Sequence, residues 1–402
     1  MNYHKETPKK IKLLAIDHHT ELGGSEINLI NIFKHIDPKD IELQVACPPW
    51  GPFFGKLKTE GFTVIPINLR SSFLDTNMIR SASVFQILKY VLKSFLEIVR
   101  FLFNFIKILR SLKPDVIYLN TLKAGILCSV PCKLFGIHAV QHVQDLLIKE
   151  DFNPVTLFII KLLFNIPVRI IAISNAVKET LISIGVNSEK IIMIYNGTDI
   201  NSFTTTSHIS IFRENYMKMS SLPSVGVIGR LMRWKGQYLF IKAAAKVTNR
   251  ANFYIIGGLF WEDPVYGEEL KELSEQLGLK EHVHFIGHVD NIRDVMHALD
   301  IVVSASTKPE PFGLTIIEAM ASSKPVIAPR FGAAPEIIIH GETGLLYTPS
   351  NADNLALSID YLLKNPQEAI EMGKRGRERA LKMFNIETTF NSIKKEILSV
   401  FA

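Results

Sequence analysis

Short, unbroken apolar runs punctuate the chain. Twelve have strand length: 11–16, 41–46, 62–67, 115–119, 138–143, 168–173 and 190–195, then 224–229, 252–257, 282–286, 299–303 and 325–328. They are continuous rather than alternating, the pattern of strands buried on both faces of a parallel sheet. Helix-length segments between them supply the crossovers that parallel strands require. The pattern predicts an α/β chain made of two doubly wound units in tandem. After residue 350 only helices are predicted, at 351–364, 366–383 and 386–401.

A length of 402 residues suits two domains. The polar, aperiodic stretch 201–210 (NSFTTTSHIS) reads as the linker. The expected division is therefore 1–203, 204–383, and a last helix at 384–402 that packs back toward the first domain. No internal repeat or low-complexity tract appears.

Apolar residues make up 47% and charged residues 21%, which excludes disordered and fibrous classes. Cys47, Cys128 and Cys132 are too few for a disulfide scaffold, and Cys128 and Cys132, four apart on a helix, read as buried small apolar residues. The expected compartment is reducing and cytoplasmic. The net charge of +6 is uneven. Residues 1–203 carry 23 basic and 17 acidic side chains, and residues 204–402 carry 22 of each. A basic first half points to an anionic partner or surface, but its charges are too scattered for nucleic acid. No signal peptide and no charge-free run of membrane-spanning length is seen.

Five constellations invite a chemical reading. Glu21-Leu-Gly-Gly-Ser-Glu26 follows the first strand. Gly23 and Gly24 allow close backbone approach to a phosphate or substrate, with Ser25 capping the next helix, or they simply make a tight turn. Asp17-His18-His19 invites a metal reading, but no further ligands stand on the following strands. Gly229-Arg230-Leu-Met-Arg-Trp-Lys235-Gly236 puts two cations after a strand, either for a phosphate or as a solvated basic loop. In Glu310-Pro-Phe-Gly-Leu-Thr-Ile-Ile-Glu318, a loop runs into a helix, so the amides of Phe312, Gly313 and Leu314 suit a phosphate. Glu310 then precedes that helix and Glu318 lies in its second turn. The helix flank is too apolar for Glu318 to be merely a solvated residue. Lastly, His142 in Gln141-His-Val-Gln144-Asp145 shares one strand face with Gln144 and is either structural or a proton-handling group.

These pieces, in this order, resemble the retaining family-4 glycosyltransferases of the GT-B fold. Carrying the resemblance are the E-x7-E element Glu310–Glu318 with its EPFGL core, Ile173-Ser-Asn175, Asn196-Gly-Thr-Asp199, Gly229-Arg230 with Lys235-Gly236, and His340-Gly-Glu-Thr-Gly344. It spans the chain from the Gly-Gly loop to about residue 383 and implies two Rossmann-like domains facing a cleft. It also implies that Arg230 and Lys235 hold a donor diphosphate and that Glu310 contacts the donor sugar. The amides at 312–314 would meet the distal phosphate and Glu318 the ribose. Gly23 and Gly24 would close over the donor, and His142 would face the sugar and acceptor.

The chain departs from that pattern at Gln144-Asp145, where many members have His-Asp or His-Glu. It departs again at Phe331-Gly332-Ala333, which replaces a commoner Gly-Gly pair. The implied reaction moves a hexosyl group from a nucleotide-diphosphate sugar to a saccharide or lipid-linked acceptor with retention. Cell-surface polysaccharide or glycolipid synthesis is the expected setting. No D-x-D triplet occurs, so fixed cations replace a metal, and neither metal nor cofactor is expected. A nucleotide-sugar 2-epimerase and a non-catalytic, membrane-associated carbohydrate-binding protein share the fold class and are the alternatives.

One segment adds a partner. From 84 to 111, Lys89, Lys93, Glu97, Arg100, Asn104, Lys107 and Ser111 trace a single narrow polar stripe on a helix, and the remainder is almost wholly apolar. Either helix 153–165 covers the surplus apolar surface or this helix lies on an anionic leaflet. The second reading makes the protein peripheral on the cytoplasmic face of a membrane.

Overall fold

The structure is a computed structural model and describes residues 10–68, 84–204, 209–217, 221–258 and 263–401. It divides into two compact units. One runs up to Tyr195 and includes the segment from Thr389; the other is Asn196–Thr388.

The first unit is built on β1 (Ile11–Ile16), β2 (Ile41–Cys47), β3 (Val64–Pro66), β4 (Val116–Leu119), β5 (His138–Val143), β6 (Arg169–Ala172) and β7 (Ile191–Met193). Its helices are α1 (Gly24–Phe33), α2 (Gly51–Thr59), α3 (Val84–Leu112), α4 (Leu122–Leu134), α5 (Pro154–Phe164) and α6 (Asn175–Ser183). The strands form one parallel sheet in the order β3-β2-β1-β4-β5-β6-β7. Strand order reverses between β1 and β4. At such a switch point the loops leaving adjacent strands diverge and leave a crevice at the carboxyl ends.

Side-chain caps start several helices. Thr121 accepts from the Ala124 amide, Asn153 from Thr156 and Ser174 from Val177. Helix α3 lays Phe101, Phe105 and Leu109 on the sheet, against Leu14, Ile117 and Leu119. Their spacing of four keeps them on one face. The helix stops at Lys113, which is left-handed, followed by Pro114.

The second unit holds β8 (Ser224–Ile228), β9 (Asn252–Ile256), β10 (Val283–Gly287), β11 (Ile301–Val303), β12 (Val326–Pro329) and β13 (Leu345–Tyr347). Its parallel order is β10-β9-β8-β11-β12-β13, with the switch point between β8 and β11. The helices are α7 (Ile209–Met217), α8 (Gln237–Ala244), α9 (Tyr266–Gln276), α10 (Ile292–Ala298), α11 (Leu314–Ala321), α12 (Ala334–Ile337), α13 (Ala352–Lys364) and α14 (Pro366–Met383). A final helix, α15 (Ile386–Phe401), starts beside Thr198 of this unit.

Two details differ from the sequence reading. The first is the boundary. Residues 196–203, expected in the first domain, are bonded into the second unit. Arg377 donates to the Ile200 carbonyl (3.4 Å), His297 Nε2 lies 2.7 Å from the Phe203 carbonyl, and Thr198 exchanges backbone bonds with Phe384 and Ile386. From Thr389 onward α15 is part of the first unit. Thr389 donates to the Tyr195 carbonyl, Glu396 pairs with Arg169 at 3.1 Å, and Ile393 and Ile397 are buried. The second difference is β13, only three residues long and not anticipated.

Helix α3 gives a paired expectation. Phe105→Ala leaves a cavity worth about 3–5 kcal/mol and lowers the melting temperature of the first unit by on the order of 10 °C. Phe103→Ser, on the solvent side of the same helix, changes stability by less than about 0.5 kcal/mol. Differential scanning calorimetry of the two variants checks both.

Candidate active site

The second unit gathers its charged groups at its switch point. Gly229 and Arg230 leave β8, and the chain turns back through Lys235 and Gly236 into α8. Gly236 is left-handed, and a Cβ there would sit 1.9 Å from the Ala305 carbonyl oxygen, so only glycine lets this loop press on the loop after β11. Thr307 N donates to the Trp234 carbonyl at 2.7 Å and fixes the same approach. The result joins the two loops through side chains. Lys235 Nζ lies 2.8 Å from Glu310 Oε2, and the Ser306 hydroxyl donates to Glu310 Oε1. The ammonium also stands over the Trp234 ring, 4.4 Å from its centroid.

Glu310 is held from behind as well. Ala333 N donates to its carbonyl at 3.1 Å. Gly332 is left-handed and packs so closely that a Cβ would lie 2.5 Å from that carbonyl oxygen. The Phe331-Gly332-Ala333 loop therefore buttresses Glu310. Arg230 is exposed at the strand end, and its carbonyl accepts from Gln237 Nε2 at 2.9 Å. The other cation of this loop, Arg233, turns away to ion pairs with Asp263 and Glu269, both at 2.7 Å.

Helix α11 begins at Leu314, with Gly313 as its cap. Its first-turn amides at 314 and 315 have no acceptor within the helix and carry the positive end of the helix dipole. Phe312 itself is core, its ring 5.9 Å from that of Phe384. Gly313 and Leu314 stand at the start of this helix, and Phe312 precedes its cap. One turn on, Glu318 is largely buried, and among the described residues its carboxylate has no hydrogen-bond or ion-pair partner. Burial pushes that carboxyl up to about 7.

The first unit builds a polar network at its own switch point. Asp17, just past β1, is buried and accepts from Asn120 Nδ2 at 2.7 Å. Asn120, just past β4, accepts from Gln144 Nε2 at 2.9 Å, just past β5. Three adjacent strand ends are tied side chain to side chain. On the other side of Asp17, His19 Nδ1 lies 3.3 Å from Asp17 Oδ1 and 2.7 Å from Glu26 Oε1. Burial alone would lower this imidazole, but the two carboxylates outweigh it and raise it to about 10.

A metal reading of this cluster is weak. Asp17, His18 and His19 do bring one ligand atom each within 4.8 Å of one another. However, His19 Nδ1 is engaged with Glu26 Oε1 at 2.7 Å and His18 Nδ1 with Thr121 Oγ1 at 2.8 Å.

Two sequence expectations change here. Ser25 does not cap α1. Gly23 is the cap residue, and Glu26 does the work, accepting from Gly23 N at 2.7 Å and from Ser25 Oγ at 2.5 Å. His142, expected to face the donor sugar, is 1% exposed, with Nδ1 2.6 Å from the Tyr118 hydroxyl. Burial pulls His142 down to about 3 and pushes Tyr118 well above its usual range, so the pair is neutral. The strand explains the difference. His142 lies inside β5, under the α1 residue Phe33 that packs on Tyr118, whereas Gln144 stands past its end at the rim. Ser306, Asn120 and Glu26 were missed because their partners are distant in sequence or their own residue types are common at turns.

Comparison with known proteins decides the family. Residues 22–202 match the model for Glycosyltransferase Family 4, and residues 211–379 that for Glycosyl transferases group 1. The chain belongs to this glycosyltransferase family. Its fold is GT-B, as in Anabaena HepE in complex with UDP, which superimposes with a TM-score of 0.83 at 29% identity over 97% of this chain and 100% of that one. The same protein with UDP-glucose gives 0.81. An uncharacterized glycosyltransferase of Methanocaldococcus jannaschii is 31% identical over 205 residues, 49% of this chain and 51% of the relative. A GDP-mannose-dependent alpha-(1-6)-phosphatidylinositol monomannoside mannosyltransferase of Mycobacterium tuberculosis is 33% identical over 178 residues, 41% and 44% of the two chains. The chain spans about half the length of the curated relatives it matches.

The unpartnered Glu318 has a measurable signature. The native carboxyl keeps a proton that the unfolded chain releases near 4.5, so the native state binds more protons between about 4.5 and about 7. Stability therefore falls as pH rises through that window. Glu318→Gln removes the loss and stabilises the protein by about 1–3 kcal/mol at about pH 8, with little effect at about pH 4. Thermal melts of both proteins across this range check the sign.

Proposed function

We propose that the chain transfers a hexosyl group from a nucleotide-diphosphate sugar to a saccharide or lipid-linked acceptor, with retention of anomeric configuration. We place this activity in polysaccharide or glycolipid synthesis on the cytoplasmic side of a membrane. An anionic membrane surface completes the partners. The observation that carries the reading is the second unit's switch point. A fixed ammonium, an exposed guanidinium and a helix N-terminus surround it, with an unpartnered buried carboxylate one turn along the helix.

Each group has a task in that reaction. Glu318 accepts hydrogen bonds from ribose hydroxyls, which replace the water its burial has removed. Arg230, Lys235 and the amides from Gly313 onward hold the diphosphate. The bond from the anomeric carbon to the diphosphate oxygen breaks, one to the acceptor hydroxyl oxygen forms, and the hydroxyl proton passes to the departing diphosphate. Charge grows on the diphosphate as it leaves, and cations already in place stabilise it without reorganising. No metal is required in this scheme. Glu310, held by Ser306 and Lys235, presents its carboxylate to the sugar hydroxyls. Gly23 and Gly24 form a close-approach loop in the first unit. Of the β5 pair, Gln144 at the rim is the residue that meets a ligand, and His142 supports the core behind it.

UDP-glucose is the first donor to assay, since the Anabaena neighbour binds it at 29% identity. Lys235→Ala should lower kcat by about 10²–10³-fold while the fold is kept, and Arg230→Ala should act in the same direction. Near wild-type turnover in either variant would reduce that residue to surface charge. EDTA should leave the rate intact, and loss restored by Mg²⁺ would overturn the metal-free scheme. Proton NMR of the product reads the anomeric configuration directly, and inversion would contradict retention.

Donor binding carries its own pH signature. Ligand hydroxyls favour the ionised Glu318, so affinity for the donor should strengthen as pH rises through about 7. Calorimetric titration should find this pH dependence lost in Glu318→Gln, with affinity weaker by about tenfold or more. Unchanged affinity would remove Glu318 from the site.

A further inference from the structure

The first unit leaves an apolar surface uncovered, and it spans more than one helix. The inner face of α3 is accounted for by Phe101, Phe105 and Leu109 on the sheet. Its outer face is not. Leu96 is 67% exposed, Phe103 58% and Phe95 55%, and Val99 is exposed with them. Leu96, Val99 and Phe103 step by three and four along one stripe. That stripe continues as Lys107 and Arg110, both exposed. Lys107 Nζ stands 4.7 Å over the Phe103 ring, and Arg110 lies 5.8 Å from the ring of Phe135 just beyond α4. The side chains of Lys89 and Lys93 lie outside the described set.

The simplest cover for this surface would be helix 153–165. Among the described residues it does not serve as one. Helix α5 packs against α4, and α4 packs against α3, so the three lie in a row with α4 in the middle. Far from covering α3, α5 turns its own Phe158 (59%), Leu162 (53%) and Ile159 outward. Between them α4 ends in Leu134, 79% exposed, and Phe135. Three neighbouring helices thus expose large apolar side chains together, which a surface meeting only water rarely does.

The charge of the same helices identifies the occupant. Helices α3, α4 and α5 carry eight Lys or Arg residues, of which Arg100, Lys107, Arg110, Lys133 and Lys161 are exposed among the described side chains, and one acidic residue, Glu97. A protein partner with an apolar patch would not require this. Aromatic side chains interleaved with cations, and almost no carboxylates, fit the boundary between acyl chains and anionic head groups. Among the described residues no helix is long and apolar enough to cross a membrane. We propose that α3, α4 and α5 together form the face by which the first unit lies on an anionic lipid leaflet. Phe103, Phe158 and Leu162 enter the acyl boundary, and Arg100, Lys107, Arg110 and Lys161 meet the phosphates. This proposal rests on the first unit alone and holds whichever donor or acceptor the second unit selects.

The full-length protein should sediment with vesicles of phosphatidylcholine containing one third phosphatidylglycerol at low salt. It should do so about tenfold less with phosphatidylcholine alone, and release as salt rises. The double variant Phe158→Ser/Leu162→Ser should lose binding by about tenfold or more. So should Lys107→Glu/Arg110→Glu. These positions are exposed, so circular dichroism and melting temperature should stay as in the wild type. Three results would overturn the proposal. The wild type could stay in the supernatant with anionic vesicles at low salt. The α5 variant could bind undiminished. Or light scattering could find a dimer that Phe158→Ser/Leu162→Ser dissolves, which would make the face a contact between copies of this chain.

Discussion

The ion pair between Lys235 and Glu310 is the constraint around which the second unit is organised. Its two members come from loops on either side of the sheet's reversal, 75 residues apart. Neither loop could approach the other if residue 236 carried a Cβ, and Glu310 could not keep its backbone position if residue 332 did. The pair costs desolvation and gives little stability by itself. What it provides is placement. A positive charge is held still at the carboxyl ends of β8 and β11, where a doubly wound sheet leaves room for a ligand.

The first unit solves a related problem by different means. Its strand ends are tied by a relay of amides and carboxylates rather than by one ion pair. Glu26, His19, Asp17, Asn120 and Gln144 follow one another across β1, β4 and β5. With His19 protonated, its positive charge is sandwiched by two carboxylates, and each amide points its nitrogen toward Asp17. Gln144 consequently presents its position at the rim with one end already fixed.

Much of this was legible in the sequence because it is local. Continuous apolar runs marked the buried parallel strands, and the eight-residue spacing of Glu310 and Glu318 put one carboxylate before a helix and the other in its second turn, as the structure has it. What escaped was set by contacts between distant segments. The apolar run 138–143 ends where β5 ends, but residue type alone did not show that Tyr118 closes over His142 while Gln144, two residues on, stays at the surface. The end of β5 separates a core imidazole from a rim amide. Ser25 looked like a cap by residue type, yet Glu26 reaches back to Gly23 and displaces it. Strand β13 has only three residues, too short a run to stand out between the turns at 341–343 and 349–350. The domain boundary was misplaced because 196–203 are polar and aperiodic in sequence, while in the fold their backbone is bonded to α10, α14 and the start of α15.

The passage of α15 into the first unit makes that unit discontinuous along the chain. Its sheet is encoded before residue 196, but the buried Ile393 and Ile397 of the same unit come after the whole of the second unit in the chain. During synthesis the first unit emerges first and is completed last. Until then it waits with apolar surface that α15 will bury, and this is the period when chaperones or premature aggregation have their opening. The order of translation and the order of closure therefore run opposite to each other in this protein.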